Sequence, residues 1–181
     1  MRRIGLVLGM SCALVSATTG VALARDTTGT TTTSFEIYGG ELSITTAASA
    51  DLGTATPGTT LSGQLGAVTV TDDRAALEAA WTATASTTDF TTGAATANET
   101  VTKSNVSYWS GPATATTGTG TFTPGQATSG SKVALSAPAT AFSLTGGVGS
   151  NSAAWNPTLV VAMPGAAVAG TYTGTVTHSV T

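Results

Sequence analysis

The chain has 181 residues, of which 40 are threonine and 22 are glycine, and only 8% are charged. The formal net charge is −3 and no cluster of basic residues occurs, which argues against binding to nucleic acid by charge. Because 41% of the residues are hydrophobic and many alternate regularly with polar ones, the composition also argues against intrinsic disorder.

The N-terminus has the order of a secretory signal peptide. Arg2 and Arg3 form a basic start, an apolar run follows, and Ala22-Leu-Ala24 is a small-x-small cleavage site. The apolar run is shorter than the ~20 residues that a membrane-spanning helix needs. We therefore expect a cleaved signal peptide over residues 1–24 and no stable membrane insertion afterwards. Cleavage would remove Cys12, the only cysteine, and leave an extracellular domain without disulfides.

After a Thr-rich leader over residues 25–34, which we expect to be flexible, the chain shows recurring strand signals. Alternating segments follow one another at spacings of about 8–12 residues with turn signals between them, which is typical of β-sandwiches and barrels. Residues 51–63 and 118–130 each contain a Pro-Gly pair and are predicted as turns and loops. In chain order, strands are predicted over residues 35–38, 42–46, 68–71, 81–86, 105–110, 132–136, 141–145, 158–163 and 170–181, with one helical turn over residues 75–80.

The final segment has the clearest strand pattern. Between Thr and Ser residues, every second position is occupied by Tyr172, Gly174, Val176, His178 and Val180. A period of two predicts one packed face and one hydroxyl-covered face in water. With no internal repeat and no second core, the predicted fold is all-β, a single antiparallel β-sandwich of immunoglobulin-like or jelly-roll-like type over residues 35–181.

Three separated segments resemble the WxL family of secreted Gram-positive surface proteins. The first runs from Gly40-Glu-Leu-Ser-Ile through Asp51-Leu-Gly to Leu65-Gly-Ala-Val-Thr-Val-Thr-Asp-Asp-Arg74. The second is Trp81-Thr-Ala-Thr-Ala-Ser-Thr-Thr-Asp-Phe90. The third combines Trp155-Asn-Pro-Thr-Leu-Val-Val-Ala-Met-Pro164 with Ala169-Gly-Thr-Tyr-Thr-Gly-Thr-Val-Thr-His-Ser-Val180. Order and spacing agree over nearly all of the chain that follows the predicted signal peptide.

The resemblance implies a WxL-like β-sandwich domain over residues 35–181. It also implies a secreted, non-catalytic cell-surface module that associates non-covalently with the Gram-positive cell wall, through peptidoglycan or another wall glycan. Two positions depart from the family pattern. Trp81-Thr-Ala83 stands where the family has Trp-x-Leu, and His178 stands where it has Trp. Attachment to peptidoglycan is credited to this motif region in the family.

Five side chains are candidate ligand contacts: Trp81, Trp109, Trp155, Tyr172 and His178. The alternative is core packing for Trp81, a partly covered ring at a strand edge for Trp109 and cover of one end of the sandwich for Trp155. Trp109 directly follows Tyr108, so on a strand the two rings point to opposite faces. If Tyr108 faces inward, Trp109 is an exposed platform for a sugar ring or for an apolar patch of a partner. His178 is the only histidine and shares the packed parity, so a half-buried, hydrogen-bonded imidazole is its alternative.

Catalytic chemistry finds no support in the sequence. The predicted mature chain has no cysteine, no Gly-x-Ser-x-Gly, no His-Glu-x-x-His, no P-loop and no clustered carboxylate pair. Asp72, Asp73 and Asp89 are interpreted as loop-capping residues rather than as a calcium site. Asp72 and Arg74 are expected to form a surface ion pair of small energetic value. We therefore predict no enzyme activity, no cofactor and no metal site.

The alternative function is a structural or adhesive surface protein that binds other surface proteins. Thr-covered strand faces, low charge and the two motif departures favour it. An unpaired strand edge would support this alternative, because such edges recruit further strands. Outward aromatic rings along one groove would instead support glycan binding.

Overall fold

The computed structural model describes residues 28–181. The predicted signal peptide and residues 25–27 of the predicted leader lie outside the described part. The chain divides into two units, residues 1–35 and residues 36–181. In the first unit, the described residues 28–35 are exposed and contain no helix or strand.

The second unit is all-β, and the fold class predicted from the sequence is confirmed. The strands, in chain order, are β1 (Leu42–Thr45), β2 (Thr60–Gln64), β3 (Val68–Asp72), β4 (Ala79–Thr87), β5 (Phe90–Thr91), β6 (Thr100–Val101), β7 (Val106–Trp109), β8 (Ala113–Thr117), β9 (Thr121–Pro124), β10 (Val133–Ala134), β11 (Ala139–Gly147), β12 (Asn151–Trp155), β13 (Thr158–Ala162) and β14 (Val176–Val180). Single 3₁₀ turns span Ala97–Glu99, Lys103–Asn105 and Ser129–Ser131.

The strands form sandwich-like layers of antiparallel sheets. The first sheet has the order β1-β3-β12-β8, the second β10-β7-β13-β2 and the third β14-β4-β11-β9, while β5 and β6 form a short pair. Edge strands of the first and third sheets also contact each other, β1 against β14 and β8 against β9. The first and third sheets therefore meet at both edges.

One hydrophobic cluster, with members from all three large sheets, forms the core. Its centre is a row of aromatic rings. Phe142 on β11 stacks on Trp155 of β12 at a centroid distance of 4.9 Å and lies 6.4 Å from Trp81 of β4. Phe122 of β9 extends the row, 6.5 Å from Trp81. Such pairs add about 0.5–1.5 kcal/mol each beyond their buried area, so this row contributes substantially in a domain without cysteine.

Several segments differ from the sequence-based prediction. Residues 35–38 form no strand, and residues 75–80 form turns that lead into β4 instead of a helical turn. β2 and β9 lie in segments that were predicted as turns and loops. The sequence also gave no indication of β8, whose residues, Ala-Thr-Ala-Thr-Thr, are all exposed. Edge strands of this kind bury little, so they lack the apolar alternation on which the prediction relied.

Asp72 and Arg74 form an ion pair, but it is not the surface pair that the sequence suggested. The Asp72 side chain is fully buried, whereas 39% of the Arg74 side chain is exposed. Arg74 Nε and Nη2 donate to the two carboxylate oxygens at 2.8 and 2.9 Å. These hydrogen bonds hold the pKa of Asp72 below its ordinary value of 3.8. The buried carboxylate therefore stays charged and paired at neutral pH.

The same carboxylate belongs to a network that joins the first sheet to the third. Asn151 of β12 donates its Nδ2 to Asp72 Oδ2 at 3.4 Å. Its Oδ1 accepts the indole N–H of Trp81 at 2.9 Å. Arg74 Nη2 also donates to the carbonyl oxygen of Ala80 at 2.9 Å. Since Trp81 and Ala80 lie on β4, the network ties β3 and β12 to the facing sheet.

Replacing Arg74 with alanine tests this network. We expect Arg74→Ala to lower the free energy of unfolding by about 2–4 kcal/mol at neutral pH, because a fully buried carboxylate loses its charged partner. Arg74→Lys keeps the charge without the two-pronged geometry and should lose less. Urea unfolding measures the change, with the exposed Lys132→Ala as a control within about 0.5 kcal/mol of wild type. Equal stability of all four proteins would contradict the assignment.

Candidate functional site

The two segments that carry the Trp-x-Leu resemblance are neighbouring strands of one sheet. β14 pairs antiparallel with β4, and the register places His178 opposite Ala85 and Val180 opposite Ala83. Trp81 lies on the same strand, two residues before Ala83. We call the sheet β14-β4-β11-β9 the motif sheet. The fold thus brings together motif segments that are almost a hundred residues apart in the sequence.

The inner face of the motif sheet follows the predicted alternation. Trp81, Ala83 and Ala85 are buried on β4, while Val176, His178 and Val180 are half-buried on β14. The intervening Thr and Ser residues of β14 are exposed, which confirms the two faces predicted for this segment. The strand itself is shorter than predicted. Gly174 is exposed, and Thr173 forms only an isolated bridge with Thr91.

A hydrogen-bonded chain of three rings runs behind His178. Trp155 Nε1 donates to the hydroxyl of Tyr108 at 3.3 Å, and this hydroxyl lies 3.1 Å from His178 Nε2. Burial lowers the pKa of His178 from its ordinary 6.5 to about 4 and raises the pKa of Tyr108. Both groups are therefore neutral at physiological pH. A neutral imidazole can accept the proton of Tyr108, whose oxygen already accepts from Trp155.

The outer face of the motif sheet is covered by hydroxyl groups. Its outward side chains include Thr121 and Thr123 on β9, Ser143 and Thr145 on β11, Thr82, Thr84 and Ser86 on β4, and Thr177 and Ser179 on β14, beside Ala80 as an apolar exception. The register aligns Thr123, Ser143 and Thr82 in one row across three strands. Neighbouring strands are about 4.8 Å apart, so these hydroxyls recur at regular intervals. We call these nine residues the hydroxyl face.

A cleft of about 200 Å³ lies beside β14. Its apolar lining includes Leu52, Leu65, Val68, Phe90, Leu159 and Val176, with His178 in the wall. Thr46, Ser49 and Thr175 add hydroxyl groups, and none of the lining residues is an Asp, Glu, Lys or Arg. This β14 cleft therefore combines apolar and hydroxyl groups and contains no Asp, Glu, Lys or Arg side chain.

The predicted contact residues do not share one surface. Trp81 and Trp155 are 2% and 0% exposed, so both rings pack in the core and offer no face to a ligand. Tyr108 is buried as expected, but Trp109 is half-buried on β7 instead of forming an exposed platform. Tyr172 is also half-buried, with its hydroxyl 2.9 Å from the carbonyl oxygen of Val168. Of the five, only His178 lines the β14 cleft.

Two features of this region were missed from the sequence. The pairing of His178 with Tyr108 joins residues 70 positions apart and has no local signal. The hydroxyl face was indicated only on β14, where Thr and Ser alternate with apolar residues. On β4 and β11 the same alternation is present, but the sequence does not show that these strands are neighbours. Only the register reveals that their hydroxyl residues form one continuous face.

Comparisons with protein-family models, with curated proteins and with solved structures find no match to this chain. Within residues 28–181, no helix has the length and apolar character to cross a bilayer. In the same described part of the chain, no three His, Cys, Asp or Glu residues are grouped so that they could hold a metal ion.

The neutral His178 predicts a pH-dependent stability. Between pH 6.5 and about 4, the unfolded chain binds a proton at His178 that the folded chain does not bind. Stability is therefore fully present above pH 6.5 and is lost as the pH falls through this window, by about 2–3 kcal/mol. The titration of Asp72 lies below the window, because its pKa is held below 3.8.

Thermal or urea unfolding from pH 7 to pH 4 measures this loss. His178→Gln keeps a hydrogen-bonding amide near Tyr108 but cannot titrate, so its stability should fall less over the window. The difference between the two proteins isolates His178 from the exposed carboxylates. Parallel curves would show that His178 is not buried in neutral form.

Proposed function

We propose that this chain is a secreted, non-catalytic cell-surface module that associates non-covalently with the glycan of the Gram-positive cell wall through its hydroxyl face. One observation carries the proposal. The two motif strands β4 and β14 are adjacent, and apart from Ala80 their outward side chains carry hydroxyl groups. The segments to which the resemblance assigns wall attachment thus present one shared surface to solvent.

The chemistry of the hydroxyl face suits a polysaccharide. Ser and Thr hydroxyls donate and accept hydrogen bonds, as do the hydroxyl and acetamido groups of wall sugars. Each such bond contributes only about 0.5–1.5 kcal/mol net, so useful affinity requires several bonds at once. A repeating polymer provides these contacts together, whereas a free monosaccharide does not. The regular rows across β9, β11 and β4 support a polymeric ligand.

The charge distribution favours neutral glycan over anionic wall polymers. The chain has a net charge of −3 and only six basic residues, two of which lie in the predicted signal peptide. Arg74 is already paired with the buried Asp72. Without a basic surface, attraction to phosphate-rich polymers is weak, and binding through uncharged hydroxyls should resist salt.

A second function, adhesion through protein partners, is favoured by a separate observation. β2 is an edge strand that pairs only with β13, and its residues Thr60, Ser62 and Gln64 are exposed. Edge strands offer unpaired backbone groups to an incoming strand. This supports the alternative that the sequence left open, but it does not involve the motif strands.

Sedimentation with washed, protein-stripped Gram-positive cell walls tests the proposal. We expect residues 25–181 to sediment with the walls in high salt. Thr177→Glu should weaken this binding about tenfold, because it replaces a hydroxyl of the face with a charged group that the glycan does not neutralise. Thr116→Glu is the matched control, since Thr116 is an exposed strand threonine on β8, outside the motif sheet.

Two further outcomes discriminate the alternatives. If Trp109→Ala abolishes sedimentation and Thr177→Glu does not, the glycan contact lies near β7 and the hydroxyl face is not the site. If the folded wild-type protein remains in the supernatant, wall binding is wrong and the protein-partner function is preferred.

A further inference from the structure

One wall of the β14 cleft is formed by the short segment that follows β1. Residues 46–50, Thr-Ala-Ala-Ser-Ala, all line the cleft and are all exposed. Within residues 28–181, no hydrogen bond engages their backbone N–H and carbonyl groups. Because these side chains are small, they leave the backbone groups accessible. The segment therefore offers both donors and acceptors to a group in the cleft.

The hydroxyl groups of the cleft are free as well. Thr46, Ser49 and Thr175 line the cleft, and in the described part of the chain their side-chain oxygens have no hydrogen-bonding partner. The backbone of Thr175 is held in place, since its N–H donates to Thr88 Oγ1 at 3.0 Å and its carbonyl oxygen accepts from Thr88 N–H at 3.0 Å. These three hydroxyls are therefore available to a ligand.

The imidazole of His178 adds a hydrogen-bond donor. Its Nε2 lies 3.1 Å from the Tyr108 hydroxyl, which already accepts from Trp155 and so donates to this nitrogen. Burial lowers the pKa of His178 to about 4, so the ring is neutral and its one proton lies on Nδ1. Nδ1 is not among the buried unpaired side-chain atoms of the described residues, which are Gln126 Oε1 and Asn156 Oδ1. The Nδ1–H group is therefore in contact with solvent, on a side chain that lines the cleft.

Beneath this polar rim the cleft has an apolar floor. The buried side chains of Val68 and Leu159 line it from the first and second sheets. The half-buried side chains of Phe90 and Val176 also belong to the lining, whereas no Asp, Glu, Lys or Arg does. The cleft is therefore uncharged, apolar at its base and polar at its rim.

We propose that the β14 cleft takes the acetamido group of an N-acetylated sugar in the wall glycan. This group has a methyl end, which the apolar floor can cover, and a secondary amide, which needs one donor and one acceptor. The Nδ1–H of His178 and the backbone N–H groups of residues 46–50 can donate to its carbonyl oxygen. The hydroxyls of Thr46, Ser49 and Thr175 can accept from its N–H. The inference rests on the proposed function, because it names the part of the glycan that this chain distinguishes.

Other occupants fit the cleft less well. A phosphate or an ammonium group would lose its hydration without meeting a charge of opposite sign. A wholly apolar side chain would leave the free donors and hydroxyls of the rim without partners. A cavity of about 150 Å³ holds one benzene molecule, so a cleft of about 200 Å³ has room for one substituent or one ring but not for a long segment. A small, uncharged amide satisfies all three conditions.

The position of the cleft connects it to the hydroxyl face. β14 is an edge strand of the motif sheet, and its residues alternate between the two surfaces. Thr177 and Ser179 belong to the hydroxyl face, whereas Val176 and His178 line the cleft. A glycan that crosses the hydroxyl face toward β14 therefore meets the cleft at the edge of the sheet. This continuity favours a sugar as the source of the amide over an alanine-containing peptide, which also offers a methyl group beside an amide.

Two neutral oligosaccharides of equal length test the inference. A chitin oligosaccharide carries an acetamido group on every sugar, and a cellulose oligosaccharide carries a hydroxyl group in its place. Both are titrated into the ¹⁵N-labelled full chain, and binding is followed by NMR. We expect the chitin oligosaccharide to bind about tenfold more tightly. Its binding should shift the backbone amide signals of residues 46–50 and 175–178 more than those of other residues.

Variants of the cleft sharpen the test. Ala48→Trp should abolish the preference for the acetamido sugar, because a large ring on an exposed lining residue fills the mouth of the cleft. Ala127→Trp, at an exposed position outside the lining, is the matched control. Thr46→Val combined with Ser49→Ala removes two hydroxyls that make no internal hydrogen bond. This double variant should keep the spectrum of a folded protein and bind the chitin oligosaccharide about tenfold more weakly.

Equal binding of both oligosaccharides, unchanged binding by Ala48→Trp, or tighter binding of an end-blocked alanine peptide would each overturn the inference. Its failure differs from failure of the proposed function. If wild type sediments with cell walls but does not prefer the chitin oligosaccharide, wall binding by the hydroxyl face stands and the cleft assignment is wrong. If the preference is found without sedimentation, the cleft assignment stands and wall attachment is wrong.

Discussion

Trp81 and Trp155 are buried, and each places an indole N–H in the core. The groups that accept these two hydrogen bonds determine how the sheets are joined. Trp81 donates to Asn151, which reaches the buried Asp72 and through it Arg74. Trp155 donates to Tyr108, whose hydroxyl meets His178. An unpaired indole N–H in a dry core would cost about 1–3 kcal/mol. The hydrogen bonds of the two indole N–H groups therefore favour one arrangement of the sheets. Apolar packing alone would define this arrangement less sharply.

The stacked pair of Phe142 and Trp155 lies between these two hydrogen-bonded groups and connects them. Beside this stack, hydrogen bonds of the Asp72 network join the motif sheet to the first sheet, and the Tyr108–His178 contact joins it to the second. The departure of His178 from the resembled pattern has a physical role in this chain. A neutral imidazole accepts at a place where an indole, which has only a donor, could not. The motif position thus serves in this structure as a half-buried hydrogen-bonding partner of the core residue Tyr108.

The alternation of apolar and hydroxyl residues was sufficient to predict an all-β fold and the two faces of β14, because burial on one side of a strand leaves that pattern in the sequence. It was insufficient for β8, where every residue is exposed, and for Trp109, which is half-buried although its parity predicted an exposed ring. Asp72 looked like a surface residue, because its partner Arg74 is two positions away. Asp72 also accepts a hydrogen bond from Asn151, 79 residues further on. A contact over that distance leaves no local pattern in the sequence.

The attachment of the segment that precedes β1 also has a mechanical consequence. Gly40 and Glu41 are hydrogen-bonded to Asp73. In the sequence, Asp73 lies between Asp72 and Arg74, the two members of the ion pair. A tensile force on this segment along the direction of β1 would therefore act on the β1–β3 ladder in shear, so that its hydrogen bonds resist together instead of opening one by one. The same force would reach the strand segment that is anchored through Asp72 to Asn151 and Trp81. The β1–β3 ladder and the buried network would thus bear such a force together.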